Sequence, residues 1–227
     1  QRWPFVSGPG VLRGLRVDLS PARESRDFRL MVLAGTVFTL GQAISYVAIP
    51  WQIYTLTGSN TMVGLIGVVE LVPLLVAGLW GGALADHVDR KKMLVGTGAA
   101  QVALTALLAL NAFRDEPHIW VLFVVAPFLV SAGALQRPSK EALLPRTVRH
   151  DQLPAANALN ALGWQTGSLL GPTIGGLIVA SAGAGWCFAV DGGGITGSGV
   201  LYAPMSAFPH RAAATPPSAQ TRPAPQG

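Results

Sequence analysis

The chain is short of charge. Charged residues make up 12% of its 227 positions, against 50% hydrophobic, whereas about a quarter of a soluble domain is charged. It has one cysteine, Cys187, so no disulfide can form within the chain; a lone cysteine in an apolar run reads as a small buried or lipid-facing group. The four histidines are scattered and no Cys/His set has zinc spacing, so neither metal nor cofactor is expected. No glycine-rich loop ends in Gly-Lys-Ser or Gly-Lys-Thr, which excludes ATP as a P-loop-bound driver. No nucleophile elbow stands on a strand-to-helix turn, and the apolar runs hold no paired acids or histidine cluster, so no enzyme is expected. The net charge is +5. Its basic residues fall in short blocks between apolar runs rather than along one face, so no nucleic-acid partner is expected.

What the chain has instead is long apolar stretches. Leu30 to Thr55, Met93 to Phe113, Ile119 to Gln136 and Leu153 to Val190 carry no charged residue, and Thr61 to Ala85 carries one, Glu70. A membrane-spanning helix needs about 20 residues. The pattern predicts an all-α membrane protein with five complete transmembrane helices, near 29–54, 61–85, 93–113, 119–136 and 154–181, plus a partial sixth from about Gly185. Residues 1–28 read as a cytoplasmic amino-terminal tail without a cleaved export signal, and 29–190 as the helical bundle.

The loops predict the orientation. Arg2, Arg13, Arg16, Arg23, Arg26 and Arg29 precede the first span. Arg90, Lys91 and Lys92 follow the second, and Arg137, Lys140, Arg146 and Arg149 follow the fourth. The intervening loops offer only Arg114. Lys and Arg are retained on the cytoplasmic side, which puts the amino terminus inside an inner (plasma) membrane.

Two stretches are rich in glycine. In "GWQTGSLLGPTIGG", glycine recurs at Gly163, Gly167, Gly171 and Gly175, with Pro172 inside the series. Positions four apart share a helix face, and small residues let membrane helices approach closely. The second stretch, "GGGITGSG" after Asp191, is a poor helix former in water. Residues 191–227 therefore read as a degenerate sixth span and a disordered Gly/Pro/Ala-rich tail. The abrupt change of composition there suggests a truncated or frameshifted product, a reading kept beside that of a working half.

The loop "GGALADHVDRKK" resembles a signature of the major facilitator superfamily: Gly82, then Asp86 four residues later, then a basic cluster including Arg90 and Lys91. It departs from that pattern at His87 and Asp89. "GSLLGPTIGG" resembles the fifth-span signature of antiporters in the same superfamily, through Gly167, Gly171, Pro172, Gly175 and Gly176. "SPARESRDFRLMVLAG", "VAIPWQIYTLTGS", "EALLPRTV" and "LPAANALNALG" resemble the efflux branch that includes the enterobactin exporter. The resemblance covers about residues 20–191 and implies the amino-terminal half of a twelve-span fold. It implies proton-coupled export of a siderophore or amphipathic drug-like molecule by alternating access. The implied partners are the lipid bilayer, the substrate, protons and a carboxy-terminal half. A lone half is expected to lack a partner for the small face of its fifth span, and either to self-associate or to be unstable.

Glu70 is the acid well inside a span. Such acids are costly there and mark functional sites by default; it either carries a proton or meets a cationic substrate group, or is a structural acid bonded to a neighbouring helix. Gln42 and Tyr46, four apart, either line a polar cavity or bond between helices. Asp86 with Arg90 and Lys91 is either a gating ion-pair network or a boundary acid beside positive-inside residues. Arg137, Lys140, Glu141 and Arg146 either contact lipid head groups or pair with that loop. Trp51, Tyr54 and Trp120 read as an interfacial belt. Asp191 would cap the sixth helix or face the cavity, and no role is assigned to it.

Overall fold

In the computed structural model, residues 18–87, 90–141 and 144–202 are described. The described residues are helical almost throughout: α1 (Ser20–Glu24), α2 (Arg26–Thr57), α3 (Asn60–His87), α4 (Arg90–Ala112), α5 (Ile119–Glu141), α6 (Leu144–Thr147), a 3-10 turn at His150–Gln152, α7 (Leu153–Ala182) and α8 (Ala184–Tyr202). In lipid every backbone polar group must find its partner within the protein, and helices do this within one segment. The apolar runs accordingly become helices, and Pro50, Pro73 and Pro172 are held inside them.

The ends carry local signals. Ser25 caps α2, its hydroxyl accepting from the Phe28 N–H at 3.1 Å, with Asp27 in the first turn. Gly58, at φ 64°, ends α2, and Gly183, at φ 89°, ends α7, conformations that suit glycine. Asn111 pins the α4–α5 turn: its amide accepts from the His118 N–H at 2.9 Å and donates to the His118 carbonyl at 3.1 Å. The expected amino-terminal tail is partly structured, since α1 and the start of α2 lie within residues 18–28.

Among the described residues, four helices are long and apolar enough to cross a membrane: α2, α3 over Asn60–Leu79, α4 over Val95–Ala112 and α5 over Ile119–Gln136. α7, expected as the fifth span, and α8 fall outside that group. The sixth helix departs further from expectation. It runs unbroken through the glycine block to Tyr202, where the sequence predicts a break after Asp191. Those glycines allow close approach: a Cβ on Gly192 would lie 3.4 Å from Thr105 Oγ1, and one on Gly194 would lie 3.4 Å from the Val37 carbonyl oxygen. Residues 1–17 and 203–227, the remainder of both expected tails, lie outside the described residues.

α2 is the organising helix. It packs along α7 and α8; α8 packs on α4, α4 on α5, α5 on α3, and α3 returns to α2. The main core gathers Ile44, Ala48, Ile49 and Ile53 of α2 with Leu108, Leu122, Ala126, Cys187 and Phe188. A smaller cluster of Phe28, Met31, Leu144 and Ala156 joins the start of α2 to α6 and α7. There the Ser25 hydroxyl donates to the Thr147 carbonyl at 2.7 Å. The outer surface remains apolar, with Val68, Val72 and Leu79 of α3 at 61%, 63% and 78% exposure. Contiguous exposed apolar surface on this scale suits lipid or a partner rather than water.

The small face of α7 has a partner within the chain, contrary to the expectation for a lone half. It is α2. A Cβ on Gly167 would lie 3.0 Å from the Leu40 nitrogen and 3.1 Å from the Thr36 carbonyl oxygen. One on Gly171 would meet the Ala43 Cβ, and one on Gly175 would lie 3.1 Å from both the Ile44 Cα and its carbonyl oxygen. Gly176, adjacent in the motif, meets nothing within 4 Å.

Candidate functional site

With one face of α2 given to the glycines of α7, the side chains elsewhere around it are sorted by helical period. Gly41, Ile44, Ser45 and Ala48 are buried, while Gln42 is exposed and Tyr46 is 72% exposed. Gln42 and Tyr46, four apart, therefore share an open face at the middle of the helix.

Gln42 lies near a pair of glutamines that no motif in the sequence singles out. Gln101 of α4 and Gln136 of α5 are 1% and 3% exposed, and the Gln136 Nε2 donates to the Gln101 Oε1 at 2.9 Å. That bond leaves the Gln101 amide nitrogen turned towards Gly133 of α5. A Cβ on Gly133 would lie 2.9 Å from the Gln42 Nε2 and 3.4 Å from the Gln101 Nε2. Two amides, of Gln42 and Gln101, thus converge at Gly133, and Gln136 joins them through its bond to Gln101, so the cluster runs from the open face at Gln42 to the interior at Gln136. Amides carry both donors and acceptors without charge, so the cluster can bind hydroxyl or carbonyl groups without the cost of a buried ion. A sign of it was present in the sequence, since Gln101 and Gln136 each stand in an uncharged apolar run.

Glu70 stands ten residues into α3, about 15 Å along the helix, and is half-buried. Among the described residues no hydrogen bond or ion pair joins it to Gln42 or Tyr46. Gly82 and Asp86 fall on the last two turns of α3, and Arg90 and Lys91 on the first turn of α4. The side chains of Asp86, Arg90 and Lys91, with those of Arg137, Lys140, Glu141 and Arg146, lie outside the described residues. Pro172 is exposed on α7, beside the face that Gly171 lays on α2. Trp51, Tyr54 and Trp120 are exposed at 41%, 49% and 62%.

Comparison with known proteins agrees with this architecture. Residues 17–201 match the family described as transmembrane secretion effector. The chain is 30% identical over 207 residues to the enterobactin exporter of Shigella boydii serotype 18, and 29% identical over 207 residues to that of Escherichia coli O1:K1. Each alignment covers 91% of this chain and 48% of the relative, so the chain spans about half the length of the curated relatives it matches. No solved structure matches.

Proposed function

Since the chain belongs to the transmembrane secretion effector family of the major facilitator superfamily, and is a multi-pass membrane protein, we propose that it forms the amino-terminal half of an efflux transporter. The transporter exports a siderophore or an amphipathic drug-like molecule in exchange for protons. The observation that carries this reading is the open face of α2, where Gln42 and Tyr46 lead into the amide cluster with Gln101 and Gln136. Siderophores present hydroxyl and carbonyl oxygens, the groups that amide donors bind. The relatives' description as enterobactin exporters supports the same substrate class.

In the proposed cycle the opposing half, whether the rest of the same chain or a separate subunit, supplies the second wall of a cavity. Rocking of the halves exposes that cavity to each side in turn. Glu70 carries the proton. Gly82, Asp86, Arg90 and Lys91 hold one state at the cytoplasmic boundary, and the glycine face of α7 with Pro172 lets that helix move on α2. The basic blocks support an amino terminus in the cytoplasm and residence in the inner (plasma) membrane.

The test uses energised membrane vesicles containing the chain and its opposing half, with enterobactin as the probe. Export that collapses when an ionophore dissipates the proton gradient is the expected result. Export indifferent to the gradient, or none above vesicles without the protein, overturns the reading.

A further inference from the structure

Asp191 lies about seven residues, or roughly 10 Å, into α8 and is 1% exposed. Ser45 of α2, 2% exposed, donates its hydroxyl to the Asp191 Oδ2 at 2.6 Å. The other oxygen, Oδ1, is buried with no hydrogen-bond partner among the described residues. It is pressed against Gly41: a Cβ there would lie 2.8 Å from Oδ1 and 3.2 Å from the Asp191 Cα. Only a glycine on α2 allows α8 to bring a carboxyl this close.

The helices around Asp191 supply no counter-charge. On α2 the charged residues stop at Arg29, and α4 has none after Lys92. α7 has none, and on α8 the other titratable groups are Cys187 and Tyr202. The Cys187 thiol faces the Gly175 carbonyl oxygen at 3.6 Å, and Tyr202 is three turns away. A buried carboxylate with one donor and no cation is strongly disfavoured. A metal ion would need about six oxygen ligands, and the contact with Gly41 leaves no room for one. A proton needs no such space.

We propose that Asp191 is a proton-binding site that latches α8 to α2. With its proton on Oδ1, the carboxyl is neutral, seats against Gly41 and holds the Ser45 hydroxyl. When the O–H bond breaks and the proton passes to water, the uncompensated charge pulls α8 away from α2 towards solvent. The use of this proton in export rests on the proposed function; the existence of the latch does not.

The test is infrared spectroscopy of the full chain in lipid bilayers across a pH series, paired with the distance between nitroxides placed at the exposed positions Tyr46 and Val190 of a Cys187→Ala chain. The expected result is a protonated-carboxyl C=O band that disappears as pH rises while the distance lengthens. The band is lost in Asp191→Asn, kept in Glu70→Gln, and moved to higher frequency in Ser45→Ala, where the carboxyl has lost its donor. Absence of the band at every pH overturns the site. A band that titrates without any change in distance overturns the latch. If Asp191→Asn does not fold, the frequency shift in Ser45→Ala makes the assignment, and an unshifted band there overturns it. Neither readout requires transport, so failure of the efflux reading leaves the result interpretable.

Discussion

Replacing Gly171 with leucine prevents α7 from seating on α2 and unfolds the bundle under conditions the wild type survives. The first added carbon already meets the Ala43 Cβ and lies 3.1 Å from the Leu40 carbonyl oxygen; the rest of the side chain has to enter the space of α2 itself. Overpacking costs about 1–3 kcal/mol and occasionally more. Here part of the obstacle is backbone, which cannot rotate away as a side chain can, so the cost falls at or above the top of that range. Total stability is only about 5–15 kcal/mol for an ordinary domain. Gly171→Ala costs less, and adding Ala43→Gly recovers part of the loss by removing the nearest obstacle. Gly176→Ala is the control. Its new methyl enters open space and gains up to about 1 kcal/mol of helix propensity. Denaturant unfolding in micelles, followed by circular dichroism, gives the order: Gly176→Ala at or above wild type, then the double variant, then Gly171→Ala, then Gly171→Leu. Equal losses at 171 and 176 would show that the α2–α7 seam is not where the structure places it.

In the assembled transporter, Glu70→Gln reduces proton-driven export to the level of vesicles without the protein. Glutamine keeps the shape and hydrogen-bonding capacity of the side chain but cannot take up or release a proton, so the variant separates proton carriage from packing. The chain with Glu70→Gln keeps its helix content, because Glu70 is only half-buried and bonds to no described residue. Glu70→Asp keeps a titratable group and retains part of the activity. Export that survives in Glu70→Gln with its pH dependence unchanged removes this residue from the coupling path and leaves Asp191 to carry it.

Helix positions were legible wherever the code is local. An uncharged run of 20 or more residues has few alternatives to a helix in lipid, and Ser25, Gly58 and Gly183 mark ends by chemistry that acts within one turn. Partnerships between helices were not. The four-residue spacing of Gly163 to Gly175 identifies a close-packing face but not the neighbour it packs on, and the neighbour is α2 of the same half. Gln101 and Gln136 each look like an isolated polar residue; only the fold sets them beside Gln42. The sixth helix was misjudged for a different reason. The glycine penalty is measured in water, where an unfolded backbone is solvated. Among packed helices the same residues let α8 approach Thr105 and Val37, and the helix continues.

In the proposed transporter, α2 divides its surface between packing and a substrate path. Single cysteines along α2, in a Cys187→Ala chain assembled with its opposing half in membranes, test it directly through labelling by a membrane-impermeant maleimide. Labelling is expected at Gln42→Cys and Tyr46→Cys, slowed by enterobactin, and none at Ile44→Cys, Ser45→Cys or Ala48→Cys. Labelling at 44, 45 and 48 with 42 and 46 silent would contradict it.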